Sequence, residues 1–396
     1  MVVVFILLIM KNMNLITPHW GQLKNLNTKQ EINAQYTIKV NKDIETDIYN
    51  LGCWIYSPLE WFLNQQDFES VLDNMQLTNN TLWPIPIVLD ISWEDKENIN
   101  KTKPENILIT NTEDNPIAYL EPEDIYNYDK SKYAYNIFGT TDENHPGVKD
   151  VFEKENFLIG WRIKTIQNNP LAKDPDIWKY YLTPEQTREK FKQNKWEKVV
   201  AFQTRNPPHR SHEYLQKCAL QGCDGLFINP VIWKKKKGDF KDKYIMGAYE
   251  ILIDDYYNKN HTHLGILPLT MKYAWPKEAV LHAIIRQNFG CSHMIVGRDH
   301  AGVWDYYGSY EAQEIFNKIS EDKLEINILK YEHAGYCTKC WELTSNKTCP
   351  HPNKDKVLFS GTQIREKMQN KEKIPEEFMR KEVSNYLIQQ NDQFVE

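Results

Sequence analysis

Hydrophobic and polar positions follow two different patterns along this chain of 396 residues. Between residues 14 and 170, short apolar runs such as LWPIPIVLDIS and ENILITN are separated by polar stretches rich in Asn and Asp. Apolar runs bounded by turn residues predict strands. Helical patterns are brief in this region, as in SPLEWFLNQQDFESVLDNM. The first half is therefore expected to be rich in β structure.

The second half, from about residue 176, alternates strands with longer helices. This order predicts βαβ units and a parallel sheet. Proline and polar residues interrupt both patterns in NNPLAKDPDIW, where we place the domain boundary. The expected organisation is a β-rich domain over residues 14–172 and an α/β domain over residues 173–396.

The segment EKVVAFQTRNPPHRSHEYLQKCALQG predicts a junction between a strand and a helix. VVAF predicts a buried strand, and HEYLQKCALQG predicts a helix with Gly222 as its C-cap. Pro207 and Pro208 are expected in the first helical turn, where a missing N–H costs nothing. The polar residues at 203–206 then lie at the carboxyl end of a strand, where open α/β sheets bind ligands.

The residue types at this junction favour an anion site. His209 and His212 are three positions apart and share one face of a helical turn. A helix N-terminus adds free N–H groups and a partial positive charge, and Arg205 adds a fork of donors that can clamp an oxyanion. The two histidines could instead form half of a metal site or cap the helix, but neither alternative explains the polar loop QTRN before them.

A second junction repeats this design. The helix pattern PKEAVLHAIIRQNFG leads into the strand pattern CSHMIV and then into the turn GRDHAG. Arg298 and His300 are expected to emerge at the same sheet edge as Arg205. Two arginines and three histidines converging on one crevice predict a polyanionic substrate. The sequence contains neither GxxxxGKS/T nor GxGxxG, so P-loop and dinucleotide chemistry are not supported.

Composition narrows the class of partner. With 41% apolar residues and a net charge of −6, the chain belongs among soluble globular proteins and has no overall field for nucleic acid. The four lysines at 234–237 are either a solvated loop or a local attractor of anions. The opening MVVVFILLIM is about half the ~20 residues of a membrane helix, so we expect no membrane span. We interpret Met1 as a start codon placed too early, with a signal peptide as the alternative.

The seven cysteines indicate a reducing cytoplasm, because their number is odd and three are clustered. Cys337, Cys340, Cys349 and His351 follow a C-x2-C-x8-C-x-H spacing. Three thiolates and an imidazole on a short loop suit tetrahedral zinc. Because four protein ligands leave no open position, we expect a structural Zn²⁺ site. Three unrelated free cysteines are the alternative.

Several motifs resemble those of the ATP sulfurylase (sulfate adenylyltransferase) family. QTRNPPHRSHE, GRDHAG, MKYAWPKEA and FSGTQIR occur in that family's order and spacing, and PHWGQL and SPLEWF are similar to motifs of its N-terminal PUA-like β domain. Lys272 keeps the charge where the family has arginine. The resemblance implies a HUP-type, Rossmann-like α/β nucleotidyltransferase domain behind a PUA-like domain. It points to the bacterial zinc-containing type without a fused adenylyl-sulfate kinase domain.

The resemblance implies a reaction of ATP with sulfate that gives adenylyl sulfate (APS) and pyrophosphate, with Mg²⁺ on the nucleotide. The family also suggests a homodimer. From charge, the short apolar opening and the cysteines, we expect no nucleic acid, no membrane and a cytoplasmic location. Sulfate is a weak nucleophile, so in-line attack on the α-phosphorus depends on positioning two anions and neutralising their charge. The alternatives are an inactive nucleotide- or RNA-binding relative and a nucleotidyltransferase with another acceptor.

The resemblance assigns roles to individual residues. Sulfate would be held by Gln203, Arg205 and the backbone at Ala301. The loop FSGTQIR, with Ser360, Thr362 and Arg365, would close over the phosphates or simply cap a helix. The residues implied to bind ATP are Gln203, Thr204, Asn206, His209, His212, Gly297, Arg298, Asp299, His300 and, through its backbone, Ala334. The implied catalytic set is Thr204, Arg205, Asn206, His212 and Arg298.

Eight of the twelve tryptophans fall where the resembling motifs carry glycine. Replacing glycine with the bulkiest side chain would block positive φ and close backbone approach. We hypothesise that the source reads UGA as glycine and that the gene was translated with UGA as tryptophan; a tryptophan-rich divergent enzyme is the alternative. The eight positions are Trp20, Trp54, Trp61, Trp161, Trp233, Trp275, Trp304 and Trp341. Trp83, Trp93, Trp178 and Trp196 would be genuine tryptophans.

Overall fold

The fold is described from a computed structural model over residues 15–166, 174–232, 238–274, 276–300, 302, 306–358, 361–370 and 372–395. Several features singled out above lie outside these residues: the opening segment, the proposed domain boundary, the lysines at 234–237, Ala301, Ser360, Trp233, Trp275 and Trp304. The side chain of Thr362 lies outside them as well.

The first half is a β-rich domain built around one long strand. Its strands are β1 (Asn27–Thr28), β2 (Tyr36–Lys39), β3 (Trp61–Phe62), β4 (Leu89–Ile91), β5 (Ile107–Thr110), β6 (Pro116–Leu120), β7 (Asp124–Asn127) and β8 (Phe157–Ile166). Its helices are α1 (Lys42–Gly52), α2 (Gln65–Asn74), α3 (Trp93–Thr102), α4 (Lys130–Phe138) and α5 (Pro146–Glu153). β8 pairs with β1, β3, β4, β6 and β7, and β5 and β2 continue the sheet beyond β6.

Local sequence explains where several of these elements begin. Asn41 and Asn64 accept N–H bonds from the first turns of α1 and α2, and Ser92 forms a capping box with Asp95 at the start of α3. The strand predicted over LWPIPIVLDIS is wrong for most of its length, because only β4 at its end joins the sheet. Its prolines have no N–H to donate to a strand ladder, although its apolar side chains are buried in the core.

The second half contains a parallel sheet, as the sequence pattern predicts. Its strands are β9 (Val199–Phe202), β10 (Gly225–Ile228), β11 (Val231–Ile232), β12 (Thr262–Leu264), β13 (Leu267–Pro268), β14 (His293–Val296), β15 (Asn327–Lys330), β16 (Gly335–Cys337), β17 (Glu342–Thr344) and β18 (Lys356–Val357). Its helices are α6 (Pro175–Trp178), α7 (Pro184–Gln193), α8 (Arg210–Leu220), α9 (Asp242–Tyr256), α10 (Lys277–Asn288), α11 (Glu311–Glu314), α12 (Gly361–Gln369) and α13 (Lys381–Ile388).

The central sheet of this half has the order β12-β10-β9-β14-β15, and all of its pairings are parallel. Alternate residues of its strands enter two apolar cores. Val199 and Ala201 pack into the core shared with the first half, whereas Val200 and Phe202 pack against α8, α9, α12 and α13. Coverage on both faces is typical of parallel sheets and leaves their carboxyl edge as the place for a crevice.

The junction after β9 differs from the sequence expectation in two details. α8 begins at Arg210 with His209 as its N-cap, so Pro207 and Pro208 lie in the loop before the helix and not in its first turn. The helix ends at Leu220 with Gln221 as its C-cap, so Gly222 lies one residue beyond it. The helix starts later than expected because the imidazole of His209 caps it: its Nδ1 accepts an N–H from the first turn.

Backbone geometry distinguishes four of the five suspected tryptophans that the structure describes from the other tryptophans. Trp20, Trp54, Trp161 and Trp341 have φ values of +57°, +64°, +134° and +61°. Such values are outliers for a bulky side chain and ordinary for glycine. Trp61, the fifth suspected position within the described residues, has no positive φ, and its indole N–H donates to Asp67 at 3.1 Å. None of Trp83, Trp93, Trp178 and Trp196 has a positive φ.

Across the described ranges, no helix is both long enough and apolar enough to cross a lipid bilayer.

Candidate anion-binding crevice and metal centre

The polar residues that follow β9 and β14 meet at one edge of the central sheet, because these neighbouring strands run parallel. We call this place the anion crevice: residues 203–206, His209, His212 and residues 297–300. A direct hydrogen bond joins its two sides, since Nη2 of Arg205 donates to the carbonyl of Gly302 at 3.0 Å. The expectation that Arg205, Arg298 and His300 emerge at one sheet edge therefore agrees with the topology.

The loop after β9 holds its own shape. Thr204 is buried, and its hydroxyl accepts the N–H of Asn206 at 3.1 Å and lies 3.2 Å from the carbonyl of the same residue. Gln203 and Asn206 are half-buried at the carboxyl end of β9. This turn presents the loop toward the second junction.

Arg205 is a charged side chain in the crevice with unused hydrogen-bonding capacity. Its Nη1 is buried and has no hydrogen-bond partner among the described residues, and its guanidinium lies 5.5 Å from the centre of the Tyr273 ring. A buried guanidinium N–H without an acceptor is costly, so this geometry favours a ligand that brings an oxyanion.

His209 and His212 stack with ring centres 3.6 Å apart. Burial, together with neighbouring imidazoles, lowers the pKa of both rings, that of His209 to about 3. The rings are therefore neutral near pH 7 and act as hydrogen-bond partners and not as fixed charges. Nδ1 of His212 is buried and has no partner in the described part of the chain. The positive charge of the crevice comes from the arginines and from the N-terminus of α8.

The second junction presents one exposed and one buried side chain. Arg298 is part-exposed, and its Nε lies 3.1 Å from a carboxylate oxygen of Asp299, whose φ is +54°. His300 is buried, and its Nε2 lies 3.1 Å from Nδ1 of His282. Burial and the nearby Arg286 and Arg205 lower the pKa of His300 to about 3.

Ala334 and the loop FSGTQIR, both named above, differ in their contacts: Ala334 contacts the first turn of α8, whereas Arg365 lies near Asp239. Ala334 is fully buried, and its carbonyl accepts the hydroxyl of Ser211 in the first turn of α8 at 2.8 Å, so it is tied to the crevice. Arg365 in α12 lies 3.6 Å from a carboxylate oxygen of Asp239.

Sequence analysis missed a buried polar layer behind the crevice. Glu278, His282 and Arg286 lie on α10 and are each 0% exposed. Their spacing of four residues in an otherwise apolar helix pattern was the available signal, since residues at that spacing share one helix face. Asn229, which follows β10, is also fully buried and accepts from Arg286 at 3.1 Å.

Cys337, Cys340, Cys349 and His351 come together as their spacing predicts, and we call them the Cys/His cluster. Nδ1 of His351 lies 3.5, 3.2 and 3.5 Å from the sulfurs of the three cysteines in chain order, and the sulfurs of Cys340 and Cys349 are 3.6 Å apart. The four ligand atoms lie within 4.8 Å of one another. A tetrahedron with zinc–sulfur bonds of about 2.3 Å has edges of about 3.8 Å, so the cluster fits a metal ion.

The fold and the crevice define a class: an α/β protein with a β-rich N-terminal domain and a parallel sheet whose carboxyl edge carries a crevice suited to an anion. A family model described as ATP-sulfurylase matches residues 178–390, and one described as PUA-like domain matches residues 14–168. The chain belongs to the ATP-sulfurylase family.

Similar proteins support this assignment over almost the whole chain. Sulfate adenylyltransferase from Persephonella marina is 44% identical, with 94% of this chain and 98% of that protein covered. Sulfate adenylyltransferase from Halothermothrix orenii is 41% identical, with 95% and 99% covered. A solved structure, the hexameric APS kinase from Thiobacillus denitrificans, matches with a TM-score of 0.73 over 96% of this chain and 69% of that one. At 21% identity this last likeness concerns the fold alone.

Proposed function

We propose that the chain is a sulfate adenylyltransferase that converts ATP and sulfate to adenylyl sulfate and pyrophosphate. The observation that carries the proposal is Arg205: it bridges the two junctions through Gly302 and keeps a buried Nη1 without a partner among the described residues. Family membership and the names of the relatives agree with this activity.

In the proposed reaction a sulfate oxygen attacks the α-phosphorus. A phosphorus–oxygen bond to sulfate forms, the bond from the α-phosphorus to the bridging oxygen breaks, and pyrophosphate leaves with that electron pair. Arg205, Gln203 and the backbone at Ala301 would orient sulfate. Because both reactants are anions, positioning and charge neutralisation supply the rate enhancement, and no covalent intermediate with the protein is needed.

The remaining crevice residues would bind the nucleotide. Neutral imidazoles at His209 and His212 can donate N–H groups to phosphate oxygens at the N-terminus of α8. The backbone at Ala334 would contact adenine. Mg²⁺, when bound, would supply charge neutralisation on the phosphates, which provide the oxygen ligands that it prefers. The other groups proposed to face ATP are Gln203, Thr204, Asn206, Gly297, Arg298, Asp299 and His300.

Three further features belong to the proposal. The metal of the Cys/His cluster would be structural Zn²⁺, because the cluster supplies four protein ligands. All seven cysteines are free thiols or candidate ligands, which agrees with a reducing cytoplasm. A homodimer divided into domains at about residue 172 is the proposed assembly, and light scattering with limited proteolysis would test it.

The direct test is pyrophosphate release from ATP and Mg²⁺, coupled to pyrophosphatase because the equilibrium opposes synthesis. We would assay the chain as printed and a form with glycine at the eight suspected positions. Release that requires sulfate supports the proposal. Release with other acceptors but not with sulfate, or ATP binding without any release from folded protein, would contradict it and favour the alternative nucleotidyltransferase or the inactive relative.

A further inference from the structure

A buried polar face on α10 lies behind the anion crevice. Glu278, His282 and Arg286 follow one another at four-residue spacing, and each is fully buried. Buried polar groups cost stability unless they are paired, so a chain carries three of them on one helix face only where they have a task or a full set of partners. Their partners include His300 in the crevice, the turn that carries Tyr273 beside Arg205, and the carbonyl of Asn229.

Glu278 holds the turn that carries Tyr273. Its two carboxylate oxygens accept the N–H groups of Lys272 at 2.8 Å and Ala274 at 3.1 Å, on either side of Tyr273. Tyr273 has a φ of +57°, a conformation that is strained for a non-glycine residue and that must be held by its surroundings. Since the ring of Tyr273 faces the Arg205 guanidinium, Glu278 fixes the surface on which Arg205 lies.

His282 holds His300. The two imidazoles share one hydrogen bond between Nδ1 of His282 and Nε2 of His300, which are 3.1 Å apart, and Nε2 of His282 lies 3.8 Å from a carboxylate oxygen of Glu278. Only one proton fits between the rings, so the tautomer of His282 determines that of His300. When His282 donates, His300 carries its own proton on Nδ1, which is the nitrogen left for a ligand.

Arg286 brings a positive charge that has no ion-pair partner among the described residues. Its Nη2 donates to the carbonyl of Asn229, while its Nε and Nη1 are buried and have no partner within the described ranges. Arg188 shows the contrast, because all three of its guanidinium nitrogens donate to carbonyl oxygens at 2.6–2.7 Å. Burial lowers the pKa of Arg286 to about 9, and its charge lowers the pKa of both His282 and His300.

We propose that this polar face of α10 is the supporting layer of the anion crevice. In it, Glu278 and His282 are positioning residues for Arg205 and His300, and Arg286 supplies charge that the bound anion balances. The inference depends on the proposed function only for the identity of the anion. It extends the site to three side chains that do not touch the substrate. It predicts that Glu278 acts on Arg205, in the loop after β9, and that His282 acts on His300, in the turn after β14.

The first test separates binding from stability. We would measure pyrophosphate binding by calorimetry and unfolding in urea for Arg286→Met and for the control Gln287→Ala. Gln287 is equally buried on the same helix and bonds to Thr17 and Ile326, away from the crevice. We expect Arg286→Met to weaken pyrophosphate binding about tenfold with an unchanged or higher unfolding midpoint, because it removes a buried, unbalanced charge. We expect Gln287→Ala to lower the midpoint only.

The second test uses kinetics and conservative replacement. Glu278→Gln places an amide NH2 group against one of the two backbone N–H groups that the carboxylate accepts, which should disturb the turn of Tyr273 and thus Arg205. Because Arg205 is proposed to orient sulfate, we expect the KM for sulfate to rise more than the KM for ATP. His282→Phe should lower kcat about 10- to 100-fold, a size typical of groups that orient a directly acting side chain. His282→Asn keeps a polar atom near the position of Nδ1 and should restore much of that loss.

Several outcomes would overturn the inference. One is an Arg286→Met protein that loses stability but keeps its pyrophosphate affinity. Another is a His282→Asn protein no better than His282→Phe, with both losing stability as Gln287→Ala does. If the wild-type protein binds pyrophosphate but releases none from ATP, the proposed function fails while the binding test still decides the supporting layer. A wild-type protein that does not bind pyrophosphate would overturn both.

Discussion

The anion crevice and the Cys/His cluster are assembled in opposite ways. The crevice draws on residues from Gln203 to His300, to which the backbone carbonyl of Ala334 is tied. They meet only because parallel strands end at one sheet edge and α10 packs behind them. The cluster takes all its ligand atoms from residues 337–351, on one small antiparallel sheet and its loop. The crevice therefore depends on the packing of the whole domain, whereas the cluster depends on short-range geometry and on its metal.

The comparison breaks most directly at Arg205. We expect Arg205→Ala to lower sulfate-dependent turnover about 10²–10³-fold, because an anion loses its buried donor, and to leave the metal content unchanged. Arg188→Ala is the matched control, because the guanidinium of Arg188 donates to backbone carbonyls. Its removal should lower stability without such a loss of turnover. Assays at saturating ATP with elemental analysis of both variants measure this. Equal turnover in the two variants would contradict the role of Arg205.

Loss of the metal should lower stability more than it weakens binding in the crevice. We expect removal by a chelator, or Cys340→Ser, to lower the free energy of unfolding by about 2–5 kcal/mol, because loss of a structural metal is among the larger single effects. Pyrophosphate affinity should change much less. Cys218→Ser is the control, because Cys218 is exposed and outside the cluster. Metal content below one atom per chain in the purified protein, or an unchanged stability after chelation, would contradict this prediction.

Acid should weaken the protein through its buried histidines. Burial lowers the pKa of His209 and His300 to about 3, against about 6.5 in an unfolded chain. Unfolded protein then binds more protons between these values, so stability is present above pH 6.5 and is lost as pH falls. Each such histidine lowers the free energy of unfolding by at most about 1.4 kcal/mol for each pH unit of acidification between these pKa values. Glu278 has the opposite effect on stability. Burial raises its pKa to about 7, so the folded protein binds this proton more readily than the unfolded chain and gains stability as pH falls.

Sulfate sharpens this prediction, because a bound dianion lets crevice histidines take up protons. We expect the loss of unfolding free energy between pH 7 and 5 to be smaller with sulfate than with chloride at equal ionic strength. The Arg205→Ala variant is the control for the general stabilising effect of sulfate salts. The same sulfate effect in that variant would place its origin outside the crevice.

Sequence patterns could predict features that depend on neighbouring residues. Buried runs such as VVAF and CSHMIV gave strands, and the general rule for parallel strands placed Arg205 and His300 at one edge. The Cys/His cluster followed from spacing alone. Glu278, His282 and Arg286 were missed because polar residues in a helix are usually exposed, and only tertiary packing turns their face inward. The strand expected over residues 82–92 was wrong because apolar character hid the missing N–H groups of its prolines.

The smallest expected effects concern the tryptophans, one of which lies in the segment of the Cys/His cluster. Trp341 belongs to the segment of the Cys/His cluster, is 77% exposed and has a φ of +61°. We expect Trp341→Gly to raise the free energy of unfolding by roughly 1 kcal/mol, because glycine adopts this conformation without strain. Trp93→Gly is the matched control: Trp93 is 65% exposed as the first residue of α3 and has no positive φ, so glycine relieves no strain there and should not raise stability.

The coding sequence provides an independent check on the same hypothesis. We expect UGA at the eight suspected positions and UGG at Trp83, Trp93, Trp178 and Trp196. Trp61 is the most demanding position, because its backbone is unstrained and its indole is hydrogen-bonded to Asp67. UGG at Trp61 with UGA at Trp341 would limit recoding to the strained positions. UGG at Trp341 and at Trp54 would instead mean that this chain has tryptophan with a positive φ at these positions. The gain in the free energy of unfolding of Trp341→Gly would then measure the strain of that conformation.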